Sequence, residues 1–231
     1  AERVHANTAY AIPNLPLIPD KQSPDGVRVS DEYNHLFALL DFAEAHGYWV
    51  DVSFGERNNP FFTKYPQEFV EKHINSYMHD INGKPIMVDA SDPFTAEARL
   101  VPAICDPVIT RLASEYIRTG VGRVKHYLSI RSWVIGSEEQ YPDYFGLPVG
   151  DFRPLFVDQF QQWLGIKRWL VPFDDKKPIL APEINPLQAA WFAFRDQAMA
   201  DRSAGFYVDF LVADSGERPV FFPTHGNPFA K

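Results

Sequence analysis

Three times along this chain a stretch with helical periodicity is followed at once by a short run rich in β-branched and aromatic residues. In the first, Leu36, Leu39, Leu40 and Ala43 recur at helical spacing. Ser30 or Asp31 can cap the start, and Gly47 can end the helix in left-handed geometry. Tyr48 to Phe54 then reads as a strand, with Gly55 as punctuation. In the second, Asp106 caps, Pro107 occupies the first turn, and Val108, Ile109, Leu112, Ala113, Tyr116 and Ile117 form an apolar stripe that Gly120 is expected to stop. Ser129 to Gly136 is its strand. The third has Asn185 as cap and Pro186 at the first position. Ala190, Trp191, Phe194 and Ala198 share one face, the helix continues to Val212, and Arg218 to Pro223 is the strand. Helices alternating with short apolar strands predict an α/β protein in which a parallel sheet is covered by helices, as a barrel or as an open doubly wound sheet.

Two long excursions, Glu56 to Pro102 and Glu139 to Pro182, leave the carboxyl ends of the first two strands. A helix is expected in each, over Pro66 to Tyr77 and over Phe152 to Leu164. Sites in α/β proteins gather at that edge of the sheet, so long connections there predict a built-up binding surface. Residues 1–30, rich in Pro, Asn and Asp, read as an extended lead-in with little regular structure, and 31–231 as a single α/β domain.

Composition narrows the partners. With 45% hydrophobic and 15% aromatic residues the chain can bury a full core. A net charge of −8 without a basic block argues against nucleic acid. No apolar run approaches the roughly 20 residues that cross a bilayer. The single cysteine, Cys105, rules out a cysteine-based zinc site within the chain, and His35, His46, His73, His79 and His126 have no tight ligand spacing. No metal and no cofactor are expected. Phosphate-loop and nucleophile-elbow motifs are absent from the sequence.

The stretch that carries chemistry is Ile130 to Glu139, an apolar strand running into two carboxylates. Trp133-Val-Ile-Gly-Ser-Glu138 resembles the W-x-I-G-N-E segment that ends the fourth strand of clan A glycoside hydrolases, where the Glu is general acid/base. His46 to Val50 with its strand, followed by Phe61-Phe-Thr-Lys-Tyr-Pro66, resembles the third strand and K-Y-P loop of family 42 β-galactosidases. Phe192 to Asp201 and Arg218-Pro-Val220 resemble that family's long helix and fifth strand. The resemblance spans Asp25 to His225. It implies a (β/α)8 TIM-barrel architecture and a retaining β-glycosidase acting on a β-galactoside-like carbohydrate, with Glu138 as general acid/base.

Two departures from the family matter. Ser137 stands where the family has an Asn that hydrogen-bonds the sugar 2-hydroxyl. A complete barrel takes about 200 to 250 residues, whereas this chain spends its length on what resemble strands three to five. A partial barrel is therefore expected, with the nucleophile outside this chain and with sheet edges that invite an oligomer or the remaining half of the barrel. The alternative is a non-catalytic carbohydrate-binding or pseudoenzyme domain.

Around Glu138, the sugar-contacting candidates are Ser137, Glu139, Tyr141, Glu56 and His225. His225 could equally be structural, and Glu139 could equally be solvated. Glu56 and Glu183 are the in-chain carboxylates that could mimic a nucleophile, exposed loop positions being the commoner reading of each. Tyr144, like Tyr141, could stack on a sugar, whereas Trp133 is expected to pack in the core. Arg195, Asp196, Asp201 and Arg202 read as ordinary helix-surface pairing.

Overall fold

A computed structural model describes residues 8–11, 17–29, 34–54, 65–88, 99–103, 105–135, 150–165 and 186–221. Its centre is a parallel sheet of four strands, β1 (Thr8–Ala11), β4 (Trp49–Ser53), β7 (Ile130–Val134) and β8 (Val220–Phe221), paired in that order. Two antiparallel pairs flank it, β2 (Leu17–Pro19) with β3 (Val27–Val29), and β5 (Met87–Val88) with β6 (Arg99–Leu100). The helices are α1 (Asn34–His46), α2 (Gln67–Lys72), α3 (Pro107–Val124), α4 (Pro154–Leu164) and α5 (Pro186–Ala213), with a 3-10 turn at Ile74–Ser76.

The lead-in is not structureless. Thr8 to Ala11 pair in parallel with Trp49 to Val52 at one edge of the sheet, and β2–β3 is a hairpin closed where Gly26 takes φ 79°. Thr-Ala-Tyr-Ala has no run of β-branched residues, so its strand character comes from the β4 ladder and not from local preference.

Main-sheet strands follow chain order without reversal, and α1, α3 and α5 all cover the same face. One apolar cluster joins Leu36, Leu40 and Ala43 of α1, Tyr116, Ile117 and Val121 of α3, and Phe206 and Phe210 of α5 to Val50, Val52, Phe54, Trp133 and Ile135. A doubly wound sheet has a switch point and helices on both faces; neither occurs among the described residues, and the sheet does not close on itself there. Period-two alternation turns Asp51, Ser53, Ser132 and Val134 to the other face. Arg131 is an extra residue on β7, where the register with β4 shifts between Val50 and Asp51, which is why Ile130 and Trp133 can share the core side.

Element ends follow local chemistry. Asp106 caps α3, its Oδ1 accepting from Val108 N at 2.9 Å and Ile109 N at 3.3 Å. Gly47 and Gly165 end α1 and α4 with φ 71° and 69°. The helix expected from Phe152 begins at Pro154, because the proline holds Arg153 in extended geometry (ψ 143°). The helix expected over Pro66 to Tyr77 is cut at Lys72, where His73 leaves helical geometry (φ −117°). The expected stop at Gly120 is a correction: α3 runs on to Val124, and Gly120 lies inside it, buried against Phe54. The proposed caps Ser30, Asp31 and Asn185 lie outside the described residues.

At the amino edge of the sheet Arg218 ties several chain segments together. It donates to Asp214 Oδ1 at 2.6 Å, Ile130 O at 3.0 Å, Lys125 O at 2.8 Å and Tyr127 O at 3.1 Å, and lies 5.8 Å from the centre of the Trp133 ring. In this fold Arg218 holds the sheet together at the end remote from the candidate site.

Candidate functional site

All four main-sheet strands are parallel, so their carboxyl ends lie at one edge. β4, β7 and β8 are consecutive neighbours there, ending at Ser53, Val134 and Phe221. Glu56 follows β4 by three residues, Glu138 follows β7 by four, and His225 follows β8 by four. Glu56, Ser137, Glu138, Glu139, Tyr141 and His225, together with Tyr144 and Glu183, lie outside the described residues. The described backbone fixes the points from which the three segments depart. Ile135, the last described residue before Glu138, is buried and donates its N–H to Phe221 O at 2.9 Å.

Around that edge the two excursions meet in a buried polar cluster. Arg153, 4% exposed, donates through Nε to both oxygens of Asp151 (2.7 and 2.8 Å) and through Nη1 to Asp106 Oδ2 (2.6 Å) and Asn75 O (3.0 Å). Asp106 thus caps α3 with one oxygen and holds Arg153 with the other. Burial raises the Asp151 carboxyl above the usual carboxylate range, and the two-pronged Arg153 contact offsets part of that rise. With the guanidinium fork on both its oxygens, Asp151 is the anionic half of an ion pair.

The Lys64-Tyr65-Pro66 motif divides at the boundary of the described residues. Tyr65 stacks on Phe69 (centroids 4.8 Å apart) and meets Tyr77 edge-on (6.4 Å). Burial pushes both phenols well up, so both remain protonated. Tyr65 therefore packs beside α2.

On α5, the expected surface position does not hold for the two arginines. Arg195 and Arg202 are buried, over the Phe192 and Phe206 rings at 5.3 and 4.6 Å. Asp196 and Asp201 are exposed, and Asp201 accepts from Gln197 Nε2 at 2.7 Å. The face carrying the arginines is turned inward because α5 packs along α3, where Arg118 Nε donates to buried Asp209 at 2.7 Å. Trp133 is fully buried, as a core residue should be.

On the sheet face away from the helices, Asp51 accepts from Ser132 Oγ at 2.5 Å and from Arg131. Such a pair was not singled out above, although a lone aspartate inside an apolar strand is the signal that could have found it. Asp51→Ala leaves the buried Ser132 hydroxyl without this acceptor, so it should lower stability by about 1–3 kcal/mol in urea unfolding. An unchanged midpoint would mean that Asp51 does not hold Ser132 as described.

Among the described residues no group of three His, Cys, Asp or Glu side chains converges to hold a metal, and no helix is long and apolar enough to cross a membrane.

No family model matches the chain, nor does any curated protein sequence. Solved structures do. The β-galactosidase of Bacillus circulans sp. alkalophilus superposes with a TM-score of 0.60 at 9% identity over 87% of this chain. That of Rahnella sp. R3 gives 0.56 at 12% over 84%, and that of the psychrophilic Marinomonas ef1 gives 0.54 at 13% over 87%. The chain spans 30%, 28% and 30% of those proteins respectively. At such identities the likeness is one of fold alone.

Proposed function

We propose that this chain is the acid/base-bearing portion of a retaining β-glycosidase of the family 42 β-galactosidase type, built on part of a (β/α)8 barrel. One observation carries the reading. The strand that runs into Trp133-Val-Ile-Gly-Ser-Glu138 is an inner strand of a parallel, singly wound sheet, and β-galactosidases share that fold.

In this mechanism Glu138 protonates the glycosidic oxygen as the bond breaks and then takes a proton from the attacking water. A second carboxylate about 5–5.5 Å away forms the glycosyl ester, and it is supplied from outside these 231 residues. Ser137 offers the sugar a hydroxyl where an Asn would offer an amide. Glu56, Glu139, Tyr141 and His225 leave the same edge and supply sugar contacts. β1 and β8, the outer strands of the sheet, are where the remaining half of the barrel or a second chain would pair. No cofactor enters.

The test is Glu138→Gln in the full native polypeptide, assayed on alkyl and aryl β-galactosides. Turnover of the alkyl substrate should fall by about 10²- to 10⁴-fold, with calorimetric binding retained and activated aryl substrates far less affected. Unchanged rates would remove Glu138 from the role. Saturable galactoside binding without product in the unmutated protein would favour the non-catalytic carbohydrate-binding reading.

A further inference from the structure

We propose that residues 150–165 form a separately opening unit on the site edge of the fold, latched by Arg153. The apolar contacts of α4 belong to a cluster of their own: Phe156, Val157 and Phe160 pack on Trp191 and Phe194, and this cluster shares no residue with the core between the sheet and α1, α3 and α5. The rings form one nest, with Phe152 stacked on Trp191 at 5.2 Å and Phe160 edge-on to it at 5.0 Å. Opening α4 therefore exposes this nest and leaves the sheet core intact.

Beyond the packing of α4 on Trp191 and Phe194 of α5, the unit is joined to the rest by a short set of contacts at its amino end. Gly150 lies so close to the preceding excursion that a Cβ there would meet Ile86 Cδ1 at 2.8 Å and Met78 Cε at 2.9 Å. Phe152 N donates to His79 O at 3.0 Å. Arg153 reaches furthest, to Asn75 O and to the Asp106 carboxylate that caps α3. Asp151, on the same segment, holds the guanidinium with Nε and Nη2 turned toward itself, leaving Nη1 for the crossing bonds. The latch is thus a fork that a point charge cannot reproduce. Proteins open below the global transition in contiguous cooperative units, and the apolar contacts of α4 all lie in a cluster separate from the sheet core. Under the glycosidase reading this unit is the far anchor of the segment carrying Glu138, Glu139 and Tyr141, though the latch itself does not depend on that reading.

Hydrogen exchange read by mass spectrometry, without any activity assay, tests the latch separately from the glycosidase reading. In the unmutated protein, amides of Phe156–Leu164 should exchange at least about tenfold faster than those of Val50–Ser53 and Ile130–Val134, and with a weaker urea dependence. Arg153→Lys should accelerate exchange a further ~10-fold over 150–165 and at Val108 and Ile109, leaving both strands unchanged. Coincident exchange of α4 and the strands in the unmutated protein would overturn the proposal, whether or not the variant folds. Equal acceleration of helix and strands in Arg153→Lys would do the same.

Discussion

Gly120→Ala should destabilise the protein by about 1–3 kcal/mol, although glycine-to-alanine inside a helix ordinarily stabilises by up to about 1 kcal/mol. The sign reverses because an added Cβ would lie 2.3 Å from Phe54 Cε1, 2.7 Å from Cζ and 2.8 Å from Cδ1. That ring has nowhere to go. It meets Tyr116 edge-on at 5.4 Å and lies 6.0 Å from the Trp133 ring and 6.3 Å from that of Phe210. Helix α3 and strand β4 can approach this closely only where no side chain stands between them, so an alanine must push them apart or force Phe54 off its rotamer. Two residues on, Gly122 is exposed with nothing within 4 Å of its missing Cβ, so Gly122→Ala should stabilise by about 0.5–1 kcal/mol. Urea unfolding of the pair should shift the two midpoints in opposite directions at constant slope. Parallel shifts would show that α3 does not sit against Phe54 as described.

The same glycine shows what a sequence can and cannot display. A glycine after a helical stripe reads as a cap, and at Gly47 that reading holds because φ is 71°. Gly120 carries the same local signal, but its reason is a ring 66 residues earlier in the chain. Periodicity was enough to place α1, α3 and α5 and the strands after them, since each buries one stripe or one face against a common core. It was blind to β1, four residues without a distinctive run, whose strand geometry is imposed by β4. The candidate site divides in the same way. That Glu56, Glu138 and His225 follow neighbouring strand ends was legible, because parallel strands share an edge. The Arg153 cluster beside it was not. Its members Asn75 and Arg153 come from separate excursions and Asp106 from the cap of α3, and no spacing rule brings together residues 78 and 47 positions apart. Arg195 and Arg202 were misplaced for a related reason: a charged residue on a long helix looks solvent-facing until the packing of that helix is known.

Trp133→Ala should cost about 3–5 kcal/mol, while Trp133→Phe should cost well under half of that. Trp133 is fully buried in an inner strand of the sheet, between Phe54, Phe210 at 6.1 Å and the Arg218 guanidinium, so truncation opens a large cavity in the core between sheet and helices. Phenylalanine retains most of the packing. It also removes the indole Nε1–H, which is buried with no hydrogen-bond partner among the described residues. Trp133 lies five residues before Glu138, and its position in the motif invites a catalytic explanation for any loss of activity on mutation. Measuring stability and turnover on the same samples separates the two. A residue that acts through the core lowers activity only as the folded fraction falls, so Trp133→Phe at a temperature where it is fully folded should retain the activity of the unmutated protein. A large fall in turnover with the fold intact would instead mean that the indole sets the direction in which the chain leaves β7, and the candidate acid's position would then depend on the core beneath it.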